Sequence, residues 1–174
     1  MKKSSKNRVT AFIVTCALLI VGGAAVFAKT GAARMFISRP EIKVALSGSV
    51  HRGQEELSLE KAQAVGSGEV VSWSIVSQNA GNASALDYRT VGQIPKGTSF
   101  VEGSAKADGA AAVTYSIDGG KTFTAKPMIA EKQPDGTMKQ VPAPVSMYTQ
   151  VRYEWADPLA AGGKLTASYQ VRVK

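Results

Sequence analysis

The ten residues L-T-A-S-Y-Q-V-R-V-K at positions 165–174 decide the fold class of this chain. Successive side chains of a β-strand point to opposite faces, so apolar residues at every second position predict a strand with one buried face. An amphipathic helix would repeat its apolar residues at intervals of three and four instead. The alternating apolar residues are Leu165, Ala167, Tyr169, Val171 and Val173.

The same alternation recurs along the chain. It is present in the groups Ile42/Val44/Leu46, Leu57/Leu59, Val71/Trp73/Ile75, Val113/Tyr115/Ile117 and Val151/Tyr153/Trp155. Residues 54–64 also have helical propensity, and we interpret them as a strand. Residues that share the buried faces are expected to form one core, which would contain Trp73, Ile75, Tyr153, Trp155, Tyr169 and Val171.

Turn signals separate these strands. Glycine, proline, asparagine and aspartate cluster at 66–68, 79–82, 95–97, 134–136 and 162–163. Short strands with such punctuation and no helix between them predict an all-β domain, built as an antiparallel β-sandwich.

The first 28 residues predict an export signal. A basic start is followed at 9–28 by an uncharged run of 20 residues, with small side chains that suit cleavage after Ala28. About 20 apolar residues also suffice to cross a bilayer, so residues 1–28 are either a signal peptide or an uncleaved membrane anchor. Residues 29–40 would be a linker and residues 41–174 the folded domain, located in the periplasm, on the cell surface or outside the cell. An uncleaved helix would anchor the chain in the inner membrane through residues 9–28.

Charge and cysteine content narrow the function further. The net charge of +8 includes four basic residues of the predicted signal, and the remaining 17 basic and 13 acidic residues leave +4. These charges are dispersed and lack interleaved aromatic residues, which argues against nucleic acid binding. The single cysteine, Cys16, lies in the predicted signal, so the exported part would contain neither disulfides nor thiol chemistry.

The octapeptide S-I-D-G-G-K-T-F at 116–123 matches the Asp-box spacing S-x-D-x-G-x-T-F of sialidase-type propellers. A propeller needs at least four blades of about 40 to 50 residues. The motif occurs once in 174 residues, so the chain cannot close such a propeller. We expect instead a tight hairpin in which Asp118 and Gly119 adopt positive φ angles. Asp118 would accept hydrogen bonds from its own loop.

The candidate catalytic and metal-binding side chains do not form a recognisable site. His51 is the only histidine, and the chain contains no G-x-S-x-G elbow that would supply a catalytic serine. Glu55 and Glu56 would point to opposite faces of a strand, which excludes them as a glycosidase pair. The sequence contains no set of His, Cys and carboxylate residues at the spacing of a zinc site. The aspartates that could bind calcium are Asp108, Asp118, Asp135 and Asp157, and we interpret them as turn residues. We therefore predict no catalytic, cofactor or metal residues.

An isopeptide crosslink and a sugar-stacking platform can also be considered, but the residues that would form them fit structural roles better. Lys61 with Asn79 or Asn82 could form an isopeptide bond, but both asparagines belong to a turn motif. Trp73 and Trp155 could stack on a sugar, but each is in phase with the apolar positions of its strand. We expect both tryptophans in the core.

Residues 59–104 resemble the conserved repeat domain DUF11 of bacterial surface proteins. That family has a lysine-bearing first strand, a G-E/D turn, an alternating strand, an N-x-G-N turn, another strand and P-x-G-T-x-F-V-x-G-S. The corresponding residues are Lys61, Gly68-Glu69, 70–78, 79–82, 86–94 and 95–104. The segments D-G-G-K-T-F at 118–123 and W-A-D-P-L-A-A-G-G-K-L-T-A-S-Y-Q-V-R-V at 155–173 extend the resemblance over most of 42–174. The family's T-D-x-L-P is replaced by V-G-Q-I-P at 91–95.

The resemblance implies an immunoglobulin-like β-sandwich at a bacterial envelope, with a role in structure or adhesion and no reaction. Members commonly carry the domain in tandem, which implies that a single copy assembles with other copies or with another envelope protein or surface component.

Two functional classes follow from the sequence. The favoured one is an exported, non-catalytic envelope or cell-surface module with a structural or protein-interaction role. The alternative is a small exported carbohydrate-binding or hydrolytic protein that uses the loops near Asp118 and Asp135.

Overall fold

The fold was analysed in a computed structural model that describes residues 38–62 and 64–174. The predicted signal or anchor helix at 1–28 and most of the predicted linker at 29–40 lie outside the described residues. Residues 38–40 precede the first strand.

The described residues form antiparallel strands and one short 3₁₀ helix, with no α-helix among them. The strands are β1 (Ile42–Arg52), β2 (Glu55–Ser58), β3 (Val70–Asn79), β4 (Arg89–Gln93), β5 (Thr98–Phe100), β6 (Lys106–Ala107), β7 (Ala111–Ser116), β8 (Met128–Lys132), β9 (Met138–Pro142), β10 (Gln150–Trp155) and β11 (Lys164–Val173). The 3₁₀ helix is Val145–Met147. The predicted all-β, antiparallel class is confirmed.

These strands form three sheets of different widths. The widest sheet has six strands in the order β2, β1, β3, β11 and β5, with β6 pairing on β11. A second sheet has the order β4, β10 and β7, and the hairpin of β8 and β9 forms the third. The centre of the widest sheet is the pairing of β3 with β11, in which Trp73 lies opposite Tyr169 and Val71 opposite Val171.

One core receives side chains from both larger sheets. Its buried members are Val71, Ile75, Ile94, Phe100, Val151, Tyr153, Trp155, Ala167, Tyr169 and Val171. Five of the six residues predicted for the core are therefore buried. Trp73 is only half-buried and packs against the edge of the core.

Polar groups of the core aromatics bond to the backbone of distant segments. The Tyr153 hydroxyl, on the three-stranded sheet, donates to the Ser168 carbonyl of the six-stranded sheet at 2.7 Å. The Tyr169 hydroxyl donates in the opposite direction, to the Gln93 carbonyl at 2.5 Å. Burial raises the pKa of Tyr169 to about 12 and that of Tyr153 further still, so both phenols stay neutral and able to donate at physiological pH.

The first strand forms where it was predicted, but the expected burial of its apolar face was wrong. The alternation at Ile42, Val44 and Leu46 predicted a buried face, yet Val44 is 56% and Leu46 61% exposed. Leu46 lies opposite buried Ile75, so it does share the inner face of the sheet. The three-stranded sheet is narrower than the six-stranded one and leaves this part of the inner face uncovered.

Two other segments differ from the expected strands. Among the described residues of 54–64 only Glu55–Ser58 is a strand, and residues 59–61 after it form a turn. The sequence predicted only a turn at 134–136, whereas the structure has the hairpin of β8 and β9 there. Neither face of this hairpin is buried in the core, and because no face has to be apolar, its sequence lacks the alternation that marks the other strands.

Truncation of Trp155 tests the core. Trp155 is 5% exposed, and its indole N–H donates to the Asp108 carbonyl at 2.7 Å. We expect Trp155→Ala to lower the free energy of unfolding by about 3 to 5 kcal/mol, measured by denaturant titration with circular dichroism. Leu86→Ala is the control, because Leu86 is 71% exposed and a surface change of this kind stays within about 0.5 kcal/mol. Equal unfolding midpoints for the two variants would contradict the position assigned to Trp155.

Candidate functional site

The Asp-box octapeptide forms a longer loop than predicted. Tyr115 and Thr124 exchange two backbone hydrogen bonds, at 2.8 and 3.0 Å, and residues 116–123 form the loop between them. The positive φ angles belong to Gly119 (76°) and Gly120 (91°), and Asp118 does not adopt one. The expectation of a two-residue turn at Asp118 and Gly119 is therefore wrong, and the loop owes its shape to the Asp118 carboxylate.

That carboxylate is fully engaged by its own loop, as predicted. Its Oδ1 accepts hydrogen bonds from the Ser116 hydroxyl at 2.7 Å and from the N–H groups of Lys121 and Thr122 at 3.0 Å. Its Oδ2 accepts the Thr122 hydroxyl at 2.6 Å. The Thr122 hydroxyl and N–H, with the Ser116 hydroxyl, hold the pKa of Asp118 well below its usual range. An ionised and saturated carboxylate is suited to holding a loop and poorly suited to donating a proton.

The loop is also fixed to the body of the domain. The Gly119 N–H donates to the Thr149 hydroxyl at 3.2 Å, and that hydroxyl donates to the Ser116 carbonyl at 3.1 Å. The Arg152 guanidinium lies 4.3 Å from the centroid of the Phe123 ring. These contacts tie the loop to β10 and to the residue before it.

The other aspartate named with Asp118 lies at the tip of the hairpin of β8 and β9. Asp135 accepts the Thr137 N–H at 2.9 Å and the Thr137 hydroxyl at 2.6 Å. The same two groups, the hydroxyl first, lower its pKa. Asp108 instead accepts the Thr166 N–H at 2.8 Å, so each of these carboxylates serves a turn or a strand end.

The remaining residues considered from the sequence do not converge. His51 is exposed on β1, and Glu56 accepts a hydrogen bond from Ser49 at 2.6 Å. Asn79 is fully buried, and its side chain bonds four backbone groups, including the Leu159 carbonyl at 3.0 Å. An amide so occupied is a structural group, not a crosslinking partner. In residues 38–62 and 64–174 no three His, Cys, Asp or Glu side chains are grouped to hold a metal ion.

Sequence reasoning missed an aromatic cleft beside the Asp118 loop. Phe100, Tyr115 and Tyr148 contact one another with ring centroids 4.9 to 5.8 Å apart. They line a cavity of about 550 Å³ together with Glu102 and Lys126. Burial and the nearby Glu102 carboxylate raise the pKa of Tyr148. These residues come from separate segments, so no local sequence pattern marks the cleft.

The cleft combines apolar ring surface with hydrogen-bonding groups. Within the described chain, the hydroxyls of Tyr115 and Tyr148 make no hydrogen bond, and neither do the side chains of Glu102 and Lys126. Such a combination can stack on the apolar face of a small polar ligand and bond to its hydroxyl groups.

A second surface feature is the uncovered inner face of β1, which we call the β1 strip and define as Ile42, Val44 and Leu46. Beside it lies a lateral groove of about 180 Å³ between the two larger sheets. The groove is lined by Leu46, Trp73, Val91, Gly92, Gln93, Pro95 and Tyr169. The indole N–H of Trp73 has no hydrogen-bond partner in the part of the chain that the structure describes. The β1 strip and this groove together form an apolar opening between the sheets.

The backbone edge next to the β1 strip also pairs with nothing in the described part of the chain. β2 pairs only with residues 49–52 of β1, and beyond them the Leu59 N–H donates to the Gly48 carbonyl at 2.9 Å. From Ile42 to Ser47, one edge of β1 pairs with no strand in the described residues. Exposed strand edges are templates for pairing with another chain.

Comparison with known proteins finds no relative: no family model matches the chain, and no curated protein or solved structure is significantly similar to it. In the part of the chain described here, no helix is long and apolar enough to cross a membrane.

The role of Asp118 can be tested through the pH dependence of stability. Because its pKa is lower in the folded state, ionised Asp118 stabilises the fold above the unfolded pKa of about 3.9, and this stabilisation is lost as pH falls toward the folded value. We expect Asp118→Ala to melt at a lower temperature than the parent at pH 7, and the difference to shrink below about pH 4.

Asp157→Ala provides the control, since exposed Asp157 makes no hydrogen bond in the described residues. A difference between parent and Asp118→Ala that stayed constant from pH 7 to pH 2 would show that the carboxylate does not stabilise the loop.

Proposed function

We propose that this chain is an exported, non-catalytic module of a bacterial envelope or cell surface, which binds a protein partner through a strand edge. Its domain would be an immunoglobulin-like antiparallel β-sandwich of the DUF11 type. The periplasm, the cell surface or the exterior would be its location, with residues 9–28 as an inner-membrane anchor if they are not cleaved.

The observation that carries the proposal is the β1 strip. Val44 and Leu46 are more than half exposed, and among the residues that the structure describes their own backbone edge pairs with no strand. Edge strands of soluble domains are usually short, charged or covered. An edge that presents apolar side chains together with free N–H and C=O groups suits strand addition, in which the backbone gives affinity and the side chains give specificity.

The polar side chains support a non-catalytic role. Asp118 and Asp135 are the residues on which a hydrolytic function would depend, and each is bonded within its own loop. Their lowered pKa values keep them ionised at neutral pH, whereas general acid catalysis needs a pKa near the working pH.

Carbohydrate binding is the second candidate, and the aromatic cleft is the observation that favours it. Its rings match the apolar face of a sugar, and its hydroxyls, which make no hydrogen bond within the described residues, match the polar groups. Its volume is within the usual range for ligand sites. Retention of the chain on an immobilised polysaccharide, and its loss in Tyr148→Ala, would identify this function.

Site-specific photocrosslinking in the producing cells tests the interaction role. A photoreactive amino acid in place of Leu46 is expected to give a covalent adduct with another chain, because this side chain would lie in the interface. The same amino acid in place of Leu86 is the control, since Leu86 is equally apolar and 71% exposed but lies outside the β1 strip.

Two outcomes would contradict the proposal. One is an equal or lower yield of intermolecular adduct from the photoreactive residue at position 46 than at position 86. A residue at position 46 that crosslinks only to residues 1–37 of its own chain counts as this outcome. The other is intact protein found free in the cytoplasm when the same cells are fractionated.

A further inference from the structure

The free edge of β1 consists of a definite set of backbone groups. In an antiparallel ladder, the N–H and C=O groups of alternate residues point to opposite neighbours. Glu41 accepts the Ala80 N–H at 2.7 Å on the β3 side, and Gly48 accepts the Leu59 N–H at 2.9 Å on the other side. Even-numbered residues therefore face the free edge. Pro40 has no N–H and the Gly48 carbonyl is already bonded, so the available residues are Ile42, Val44 and Leu46.

The same three residues carry the side chains of the β1 strip. A helix or an irregular loop laid over the strip would cover the apolar side chains but leave the neighbouring backbone groups without partners. An extended strand satisfies both sets at once, because its N–H and C=O groups match the edge while alternate side chains lie on the inner face. The β1 strip therefore favours a strand as its occupant.

A second copy of β1 is complementary to this edge. When two identical strands pair antiparallel about a two-fold axis, an axis at any residue sets even-numbered residues opposite one another. The registers that pair at least two of Ile42, Val44 and Leu46 among themselves have the axis at Lys43, Val44 or Ala45. An axis at Lys43 sets that lysine opposite itself, which is destabilising, and sets Leu46 opposite Pro40. An axis at Ala45 sets Ile42 opposite Gly48, whose carbonyl is occupied.

Only the axis at Val44 pairs all three residues. It sets Pro40 of the second copy opposite Gly48, where Leu59 already lies, so residues 38–40 of each copy turn away from the edge in the pair. Val44 then pairs with Val44 of the second copy, and Ile42 pairs with Leu46 in both directions. Each of the three residues contributes one N–H and one C=O group, so all of them are bonded. Lys43 lies opposite Ala45, and each Lys43 keeps its own Glu41 carboxylate at 3.8 Å on the solvent face, where the two lysines meet only on a diagonal.

We infer that two copies of this chain associate through antiparallel pairing of β1 with β1 about a two-fold axis at Val44. The inference rests on the proposed interaction role and names its partner. The two six-stranded sheets become one continuous sheet, and the β1 strips of both copies form one apolar surface beside the two lateral grooves. Because each copy uses the same patch, the assembly closes as a dimer.

Disulfide formation tests the register. In a full-length Cys16→Ala background, Val44→Cys would place two thiols across the axis at a Cα separation of about 5.5 Å, within the usual range for a disulfide. Leu46→Cys would place them about 14 Å apart along the strands. We expect rapid covalent dimers with Val44→Cys and none with Leu46→Cys. When the Leu46→Cys chain is mixed with the Ile42→Cys chain, we expect disulfide-linked dimers that contain one of each. Equal crosslinking at 44 and 46, or none at 44, would overturn the inference.

Sedimentation of the detergent-solubilised full-length chain tests the association itself. The parent is expected to show a concentration-dependent dimer. Val44→Pro should be monomeric with an unchanged circular dichroism spectrum, because it removes an edge N–H and no bond to β3. Leu86→Lys should dimerise like the parent. A parent that stays monomeric at every concentration, or a dimeric Val44→Pro, would overturn the self-pairing. In the monomeric case, an adduct with a different protein at position 46 in cells would leave the interaction role standing.

Discussion

Two buried tyrosine hydroxyls set the relation between the larger sheets, and much of the remaining structure depends on it. Tyr153 and Tyr169 each reach from one sheet to a backbone carbonyl of the other. A buried hydroxyl without a partner is costly, so each bond restrains how far the sheets can slide. The backbone opposite Tyr169 is Gly92, and any side chain there would collide with the tyrosine ring. With this relation fixed, β4 forms the border of the narrower sheet and β1 extends past it.

The polar side chains considered for function therefore form hydrogen bonds within their own loops, whereas apolar side chains are exposed where the two larger sheets meet. Asp118, Asp135 and Asn79 use their side chains to complete turns, so they have little capacity left for a ligand. In the β1 strip, by contrast, both the edge backbone groups and the apolar side chains can contact a partner. A surface of this kind suits recognition of an extended strand better than chemistry on a small substrate, which is why the proposed role is an interaction.

Alternation along the sequence predicted which side chains share a face, and it was right for β3, β10 and β11. It could not predict what covers that face, since Leu46 alternates as regularly as Tyr169 but lies beyond the opposing sheet. Asp118 was recognised as a loop acceptor, whereas the length of the loop depended on how many N–H groups its carboxylate could reach. The aromatic cleft joins Phe100, Tyr115 and Tyr148 from separate segments, so only the folded chain reveals it.

The position of β11 has a consequence for how the domain is completed. Of the described strands, β11 comes last along the chain but lies in the middle of the widest sheet, where Val171 pairs with Val71. Contacts between residues so distant form slowly, because a long loop must close first. If the chain is exported from its N-terminus, as proposed, β1 and β3 emerge early and must wait with the second edge of β3 open. Folding of the domain then depends on β11, since a chain interrupted before residue 164 would lack the strand that closes its centre.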